Sequence, residues 1–555
     1  MPSNCHQIAI KSRSGTMRLL RLLAKTSRSA IGFKRTPMAP LAVPRAASVA
    51  TTPAQDSNAN AQNHESYRAH IDFKFVRDNV DLVRQNATNR LVNASPDEVV
   101  RLYDEFVALT QESDAVRAAR NENSAQMKRK LEADEREKLI EHGKSLKLEL
   151  DTIDEKLRAV EARLQIEGKK LPNLTHPDVP IGAEDEATLI AEIGSKAAFG
   201  FEAKDHVTLG EALGVLDFDT GSVVSGSKFY YLRKEAALLE MALVRGRSVL
   251  VFPLMRSPVA VLADTRALFF SRSRFLAFSR SPHLTPTLIL ARVLQVNYAM
   301  QKICSKGFDP IITPDLVRSS VLEKCGFQPR GEGTQVYSVE NSELCLTGTA
   351  EIPLGGMFMD QILPEESLPI KVAAYGRCFR TEAGAAGAAG KGLYRVHQFS
   401  KVEMFVVCTP EQSEQLHKEL IDIEVEMFQE LGLHFQVLDM PSCDLGAPAY
   451  RKFDIEAWMP GLQRYGEVSS ASNCTDYQSR RLNIRYRPSE PASEGGKNKK
   501  KKKAPTQFVH TLNGTGCAVP RMIVAILENN QQEDGSIVIP EALRPFMMGR
   551  SRIEA

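Results

Sequence analysis

The sequence predicts an α+β fold, in which an antiparallel sheet flanked by helices follows an N-terminal antiparallel two-helix coiled-coil arm. Two long segments carry apolar residues at alternating spacings of three and four, which is the pattern of a helical seam. Short apolar runs, such as 371–375 and 401–407, come later among helical stretches, as expected for a sheet with helices packed on it. With 555 residues, 43% hydrophobic and 25% charged, the chain is globular and long enough for two or three domains.

The composition restricts the partners and cofactors. The net charge of +3 is close to neutral, so contact with a nucleic acid must come from local basic patches. Nine cysteines lie far apart with no C-x-x-C pair, which argues against a zinc ribbon or a disulfide scaffold and suits a reducing compartment. The most apolar region, 249–278, is interrupted by charged residues, so no membrane-spanning helix is expected.

The first 55 residues are basic and contain no Asp or Glu. Arg and Lys recur there among Leu and Ser, which is the composition of a mitochondrial presequence. A disordered basic tail is the alternative interpretation. We expect 1–70 to be a disordered presequence and linker, and the protein to reside in the mitochondrial matrix. Met17 and Met38 leave open a cytosolic form that begins at an internal start.

Residues 71–175 are predicted to form the helical arm, with a short helical segment near 73–85 before the two long helices. Ser-Pro-Asp-Glu at 95–98 is a capping box with proline at the first helical position. The seam turns polar at Arg120 and Asn123, so the hairpin tip is expected near 125–136. The apolar seam comprises Val99, Leu102, Phe106, Leu109, Ser113 and Val116, then Leu146, Leu150, Ile153, Leu157, Val160 and Leu164.

The residues alone leave two interpretations of this arm open. It is a coiled coil used for dimerisation, or a protruding arm that contacts RNA by its shape. Acidic residues are as frequent as basic ones nearby, so charge does not decide between them. The basic residues toward the tip, where phosphates could be contacted, are Arg117, Arg120, Lys128, Arg129 and Lys130.

Two segments interrupt the pattern. Residues 244–295 are rich in Arg and Ser and separate 236–243 from 296–300, which together would make one amphipathic helix. We interpret 244–295 as a translated intron, with a lineage-specific surface loop as the alternative, and sequencing the transcript across the junction distinguishes them. Residues 488–505 contain a lysine run and are expected to form a disordered loop, with a nuclear address or an extra RNA contact as alternatives.

Two further segments carry residues suited to a bound polyphosphate. A Gly-bracketed stretch at 511–516, predicted as a tight turn, leads to Arg521 at the start of an apolar helix at 522–528. Upstream, Arg-Cys-Phe-Arg-Thr-Glu at 377–382 is closed by Arg-Val-His-Gln-Phe-Ser-Lys-Val-Glu at 395–403. These segments resemble motifs 3 and 2 of class II aminoacyl-tRNA synthetases, and most specifically those of the seryl-tRNA synthetase family.

Other segments carry the same resemblance. Residues 307–314 resemble motif 1, which forms the dimer interface in the family, so we expect a homodimer. Glu-Val-Ser-Ser at 467–470 resembles the strand that holds metal and ATP. Residues 171–180 resemble the loop between arm and core, which makes 176–555 the expected class II catalytic core.

The resemblance implies an aminoacyl-tRNA ligase. It would activate L-serine with ATP and Mg²⁺ to seryl-adenylate and transfer the seryl group to tRNA(Ser), with tRNA(Sec) as a further candidate acceptor. The arm would clasp the long variable arm of the tRNA. A catalytically weakened synthetase paralogue that binds tRNA is the alternative, whereas an enzyme that loads a carrier protein would be expected to lack the arm.

The resemblance also implies roles for single residues. Arg380, Glu382 and Arg521 are the candidate catalytic residues: the planar Arg380 guanidinium would contact the α-phosphate and the serine carboxylate, and Glu382, expected on the same strand face, the adenine amino group. Phe399 would stack on adenine, with Arg521 on the other face. Glu467 and Ser470 would hold Mg²⁺. The implied ATP site comprises Arg380, Thr381, Glu382, Val396, Phe399, Glu467, Val468, Ser469, Ser470 and Arg521.

Polar residues are implied for serine as well. Thr349 and Glu351 would bind the ammonium group, and Glu403 and Thr515 the hydroxyl. Buried polar groups that alanine leaves unpaired reject that amino acid better than an apolar pocket does. The implied serine site comprises Thr349, Ala350, Glu351, Arg380, Glu403, Asn513 and Thr515.

The chain departs from the family in one loop. Residues 383–392 lack the Arg-Asp-Thr commonly found around 388–390, which leaves Lys391 as the remaining basic residue. The loop contacts ATP and the tRNA acceptor end in relatives, so the transfer step is the one expected to suffer. Pro520 also stands where relatives often have glycine.

Overall fold

The computed structural model describes most of the chain beyond the basic N-terminus. Five segments with sequence-based predictions lie outside the described residues: 1–66 of the presequence and linker, 130–131 at the arm tip with Lys130, 245–297 of the insertion, 383–390 after motif 2, and 490–503 with the lysine run. The described residues are 67–129, 132–244, 298–328, 334–382, 391–489 and 504–555.

The N-terminal helices are α1 (Phe73–Asp78), α2 (Val80–Asn89), α3 (Pro96–Gln126) and α4 (Ala133–Lys169). The two long helices are antiparallel, because Ser113 bonds Asp154 whereas Asn123, further along α3, bonds the earlier carbonyl of Leu139. The segment expected as one helix near 73–85 is two helices. They part at Asn79, whose side-chain amide donates to the Phe75 carbonyl and whose φ of −133° is not helical.

The predicted seam is the buried surface between α3 and α4, and the tip falls between Gln126 and Ala133. Ser95 caps α3 by accepting the N–H of Glu98. The Glu98 carboxylate bonds Arg101, so the reciprocal half of the capping box is replaced by an ion pair. The buried seam residues form two clusters, Val99, Leu102, Val160 and Leu164 near the base, and Val116, Leu146, Leu150 and Ile153 nearer the tip.

The core is built on an eight-stranded sheet. In order across the sheet, its strands are β1 (Thr188–Ile193), β10 (Phe435–Asp439), β11 (Arg451–Met459), β12 (Arg464–Asn473), β15 (His510–Ala518), β9 (Gln398–Cys408), β8 (Ile370–Phe379) and β4 (Asp309–Ile312). All neighbours are antiparallel except β4 and β8, which pair in parallel at one edge. The α+β prediction is therefore confirmed, and both predicted strands lie within β8 and β9.

Helices pack on this sheet. Helices α7 (Lys234–Val244) and α8 (Tyr298–Ser305) flank the undescribed residues 245–297. They contact each other and bury Leu243 and Tyr298 in the main core. Within the described ranges, no helix is both long and apolar enough to cross a membrane. The core helices are α5 (His206–Ala212), α6 (Phe218–Ser225), α7 (Lys234–Val244), α8 (Tyr298–Ser305), α9 (Ser319–Lys324), α10 (Glu351–Met357), α11 (Ser413–Glu430), α12 (Tyr477–Leu482) and α13 (Val519–Asn529).

Short strands pair outside the main sheet. They are β2 (Leu216–Asp217) with β3 (Tyr231–Leu232), β5 (Leu316–Arg318) with β6 (Leu344–Leu346), β13 (Arg485–Arg487) with both β7 (Ile362–Pro364) and β14 (Gln507–Phe508), and β16 (Ile537–Val538) with β17 (Arg552–Ile553).

Two local predictions were wrong. The Gly-bracketed stretch at 511–516 is not a tight turn but part of β15. Its glycines allow close packing instead: a Cβ at Gly516 would lie 2.4 Å from the Ile303 side chain. Glu382 is not on a strand face, because β8 ends at Phe379 and Glu382 has a φ of +47°. The helix expected at 522–528 is confirmed within α13.

Candidate active site

Strand ends and one helix start converge on a single cleft in the core. It is lined by the residues after β8, the segment leading into β9, the middle of β12, and the junction of β15 with α13. Sequence-predicted residues that line it are Arg380, Glu382, Val396, Phe399, Glu467, Val468, Ser469, Ser470, Thr515 and Arg521.

Two β-bulges bring these side chains together. The register of β12 against β11 shifts between Ser469 and Glu467, so Val468 is an extra residue and successive side chains of β12 reach the cleft. A similar shift in β15 occurs at Gly516, next to Thr515. A bulge re-aims the side chains that follow it, which is why bulges recur beside active sites.

Arg521 and Glu467 form the charged pair of the cleft. Arg521 Nη1 lies 2.9 Å from Glu467 Oε2, and the guanidinium stacks on the Tyr394 ring at 4.7 Å. Burial alone would raise the pKa of Glu467, but the positive charges of Arg521 and Lys452 outweigh it and lower the pKa to about 2. Glu467 is therefore ionised at neutral pH, and its side chain remains 40% exposed to the cleft.

Arg380 and Phe399 are in contact within the cleft lining. The Arg380 guanidinium lies 5.3 Å from the centre of the Phe399 ring, and its Nε donates to the Gly348 carbonyl. Arg521 stacks on Tyr394 rather than beside Phe399 in this structure. The two guanidiniums thus reach the cleft from different elements, Arg380 from just after β8 and Arg521 from the first turn of α13, and each stacks on an aromatic ring.

Buried polar residues adjoin the cleft around Glu403, which is 1% exposed. Thr349 Oγ1 donates to Glu403 Oε2 at 2.9 Å, and Lys401 Nζ pairs with the same oxygen. Thr515 stands directly opposite Glu403 in the pairing of β15 with β9. These groups form a compact hydrogen-bonding surface at the cleft wall, because Lys401 and Thr515 also line the cleft.

Glu351 belongs to a second buried network. Its Oε1 accepts from Gln478 Nε2 at 2.6 Å and from Asn513 Nδ2 at 3.0 Å. Burial, reinforced by the nearby negative charge of Glu403, raises the pKa of Glu351 to about 7. A bound cation would stabilise its carboxylate form.

Six predicted site residues lie outside the cleft lining: the network residues Thr349, Glu351, Glu403 and Asn513, and also Thr381 and Ala350. The Thr381 hydroxyl donates to the Thr334 carbonyl at 2.6 Å, which commits it to the neighbouring loop. Ala350 is buried before α10 and offers a methyl group alone.

The sequence interpretation assigned no role to Lys401, Tyr394 or Gln478. A signal for Lys401 was available, because Phe399, Lys401 and Glu403 alternate along β9 and so share one face. Tyr394 and Gln478 join the site through contacts with residues far away in sequence, and no local pattern marks them.

The cleft offers oxygen ligands for a hard cation. Among the residues described, no three His, Cys, Asp or Glu side chains cluster as a metal site. Glu467 is ionised and lies with Ser470 in the same lining. This set fits Mg²⁺, which binds proteins through one or two oxygen side chains and takes its other ligands from phosphates and water.

An antiparallel sheet with this arginine-lined cleft defines a class II aminoacyl-tRNA synthetase, and residues 335–530 match the family described as tRNA synthetase class II core domain (G, H, P, S and T). Residues 71–175 match the seryl-tRNA synthetase N-terminal domain. The chain is 45% identical over 479 residues to the serine–tRNA ligase of Treponema denticola, which covers 86% of this chain and 98% of that protein. The chain belongs to the seryl-tRNA synthetase family.

Further relatives agree. The serine–tRNA ligase of Rubrobacter xylanophilus is 44% identical, over 86% of this chain and 97% of that protein. The crystal structure of seryl-tRNA synthetase from Pyrococcus horikoshii complexed with ATP superposes with a TM-score of 0.71 at 32% identity, covering 87% of this chain and 99% of that one. The resemblance stated from the motifs is confirmed.

Proposed function

We propose that this chain activates L-serine with ATP to seryl-adenylate and transfers the seryl group to tRNA(Ser). The observation that carries the proposal is the convergence of Arg380, Arg521 and the ionised Glu467 on one cleft, next to the buried Glu403 that pairs with the lining residue Lys401. The guanidiniums suit a polyphosphate, and the buried carboxylate suits a small hydroxyl-bearing substrate.

In the activation step, the serine carboxylate attacks the α-phosphorus of ATP and pyrophosphate leaves. Such a reaction depends on positioning and on neutralising phosphate charge. Arg380 would hold the carboxylate and the α-phosphate together, since a planar guanidinium bonds two oxygens at once. Glu467 and Ser470 would hold Mg²⁺, which when bound neutralises charge on the phosphates.

Serine selection would rest on the buried polar wall. Thr349 and Glu403 are already hydrogen-bonded to each other, and Thr515 lies beside them. A serine hydroxyl would join this network, whereas alanine would leave its groups unpaired. Glu351 would bind the ammonium group of serine. The positive charge of that group would stabilise the ionised form of the Glu351 carboxyl group.

Serine-dependent ATP–pyrophosphate exchange tests the activity directly. We expect exchange with serine and far less with alanine or threonine. Absence of exchange in a folded, ATP-binding preparation would support the alternative, a tRNA-binding paralogue with weakened catalysis.

The arm is proposed to bind the tRNA. Lys128 and Arg129 are exposed just beyond the end of α3, whereas Arg117 pairs with Asp154 and contributes less free charge. Deleting the tip should spare pyrophosphate exchange and reduce aminoacylation of tRNA. If aminoacylation were unchanged, the arm would have a structural role only.

A homodimer is proposed from the edge strand β4. Ile312 is 98% exposed there, at the end of the motif 1 segment, and a second copy would cover it. Sedimentation of the wild type and of Ile312→Asp tests this, with a shift to monomer expected for the variant. A monomeric wild type would overturn it.

Mitochondrial location is proposed from the acid-free, Arg-rich first 55 residues. A fusion of these residues to a fluorescent protein should enter mitochondria. A diffuse cytosolic signal would reject the proposal.

A further inference from the structure

We propose that His206 is a positioning residue for the nucleotide cleft, which it serves together with its neighbour Asp205. The two residues, named here the α5 clamp, attach the segment 391–394 to helix α13. The inference rests on the proposed function, because 391–394 supplies part of the lining assigned to ATP.

His206 bridges two elements from a fully buried position. Its Nδ1 lies 2.9 Å from Glu528 Oε1, near the end of α13, and its Nε2 accepts the backbone N–H of Leu393 at 3.2 Å. Because Nε2 accepts, the ring proton is on Nδ1 and donates to Glu528. A neutral imidazole in one tautomer therefore joins the segment to the helix.

Glu528 is fully satisfied in this arrangement. Oε1 also accepts the backbone N–H of His206, and Oε2 accepts the N–H groups of Gly461 and Leu462 in the turn between β11 and β12. A buried carboxylate with four donors is held rigidly. The imidazole that it orients is therefore fixed in position as well.

Two further contacts attach the same segment. Asp205 caps α5 and pairs with Lys391 Nζ at 2.6 Å. Gly392 has a φ of +65°, and a Cβ there would lie 2.2 Å from His206 Nε2. Only glycine permits the backbone to pass so close to the ring.

The clamp acts on the cleft through the next residue, Tyr394. Arg521 stacks on the Tyr394 ring, and its Nε donates to the Tyr394 carbonyl at 3.3 Å. Arg521 and Glu528 lie about two turns apart on α13. Segment 391–394 is thus bonded to α13 at two points: directly to Arg521 near the start of the helix, and through His206 to Glu528 near its end. These two attachments fix the position of Tyr394 relative to Arg521.

The arrangement also assigns a role to the charge left in the altered motif 2 loop. Lys391 is paired with Asp205, so it serves the clamp. Residues 391–394, at the end of this loop, are therefore held by α5.

The test measures KM for ATP and for serine separately in pyrophosphate exchange. His206→Asn can keep the bond to Glu528, but its shorter side chain leaves the Leu393 N–H without an acceptor. We expect KM for ATP to rise roughly ten-fold with KM for serine unchanged, since a small displacement of positioning groups has effects of this order or larger. His206→Gln, which carries a donor and an acceptor at longer reach, should restore most of the ATP affinity.

His434→Asn is the matched control, because His434 is also buried and bonds Tyr465 away from the cleft lining. It should keep the wild-type KM for ATP. Should His206→Asn fail to fold, Asp205→Asn retains the cap on Thr208 and loses only the Lys391 ion pair. A roughly three-fold rise in KM for ATP is expected for that variant.

Unchanged ATP affinity in these clamp variants would overturn the inference, as would an equal rise in both KM values, which indicates general destabilisation. Failure of the proposed function looks different, because the wild type itself would then show no serine-dependent exchange.

Discussion

We name the side of the cleft with Glu467 and Arg521, proposed for ATP, the nucleotide half, and the adjoining buried side with Glu351 and Glu403, proposed for serine, the serine half. The two halves use opposite physical strategies. In the nucleotide half, the side chains of Glu467 and Arg521 are 40% and 20% exposed. Their charged groups therefore stay hydrated in the absence of a ligand. In the serine half, Glu351 and Glu403 are 7% and 1% exposed, and protein donors satisfy them in advance. The difference teaches that charge attracts a large flexible anion, whereas prearranged hydrogen bonds select a small neutral side chain.

Arg380→Ala should have the largest effect, because Arg380 stands between the two halves. We expect exchange to fall by roughly 10³-fold, since removal of one preorganised donor to a developing charge has an effect of this size. Single-turnover adenylate formation measures it. Arg377→Ala is the control, because Arg377 lies three residues earlier, on β8, and outside the cleft lining. Near-normal turnover of Arg380→Ala would contradict the placement of Arg380 between the two halves.

Glu403→Gln should separate the halves. The substitution removes the negative charge that pairs with Lys401, so the buried ammonium group of Lys401 loses its ionic partner. KM for serine should therefore rise roughly 100-fold. KM for ATP should stay near the wild-type value. Steady-state exchange with each substrate varied in turn gives both numbers, and a parallel loss of ATP affinity would contradict the division into halves.

Asn513→Ala should have a smaller effect in the same half. It removes one of two donors to Glu351 and leaves Gln478 in place, so KM for serine should rise roughly ten-fold. Asn529→Ala is the matched control, because Asn529 bonds backbone carbonyls of α13 and Trp458. An equal change in both variants would show that Asn513 acts through stability only.

The smallest expected difference between the two halves is in how KM for serine and KM for ATP depend on pH. Because the pKa of Glu351 is raised to about 7, the Glu351 carboxyl group of the serine-free enzyme is mostly protonated below pH 7. An ammonium group favours the carboxylate, so KM for serine should fall as pH rises toward 7 and level off above it. Glu467, with a pKa lowered to about 2, stays ionised throughout, so this group adds no such slope to KM for ATP. KM profiles between pH 6 and 8 test this, and Glu351→Gln should abolish the serine slope.

The sequence predicted contiguous features well and long-range ones poorly. Arg380 and Arg521 lie inside recognisable segments, and the α3–α4 seam follows directly from its spacing. The pairing of Arg521 with Tyr394 depends on how β9, β12 and α13 come together, which no local pattern encodes. Gly514 and Gly516 were interpreted as a turn because glycine marks turns and close packing alike.

The contact between α7 and α8 determines how much a segment inserted between these two helices costs the fold. Leu243 near the end of α7 and Tyr298 at the start of α8 both lie in the core, and these two helices touch. Closing a loop between such neighbouring points becomes costlier only with the logarithm of its length, about 0.6 kcal/mol for each doubling. A long segment inserted at this junction therefore costs the core little free energy, whether residues 244–295 are a translated intron or a surface loop.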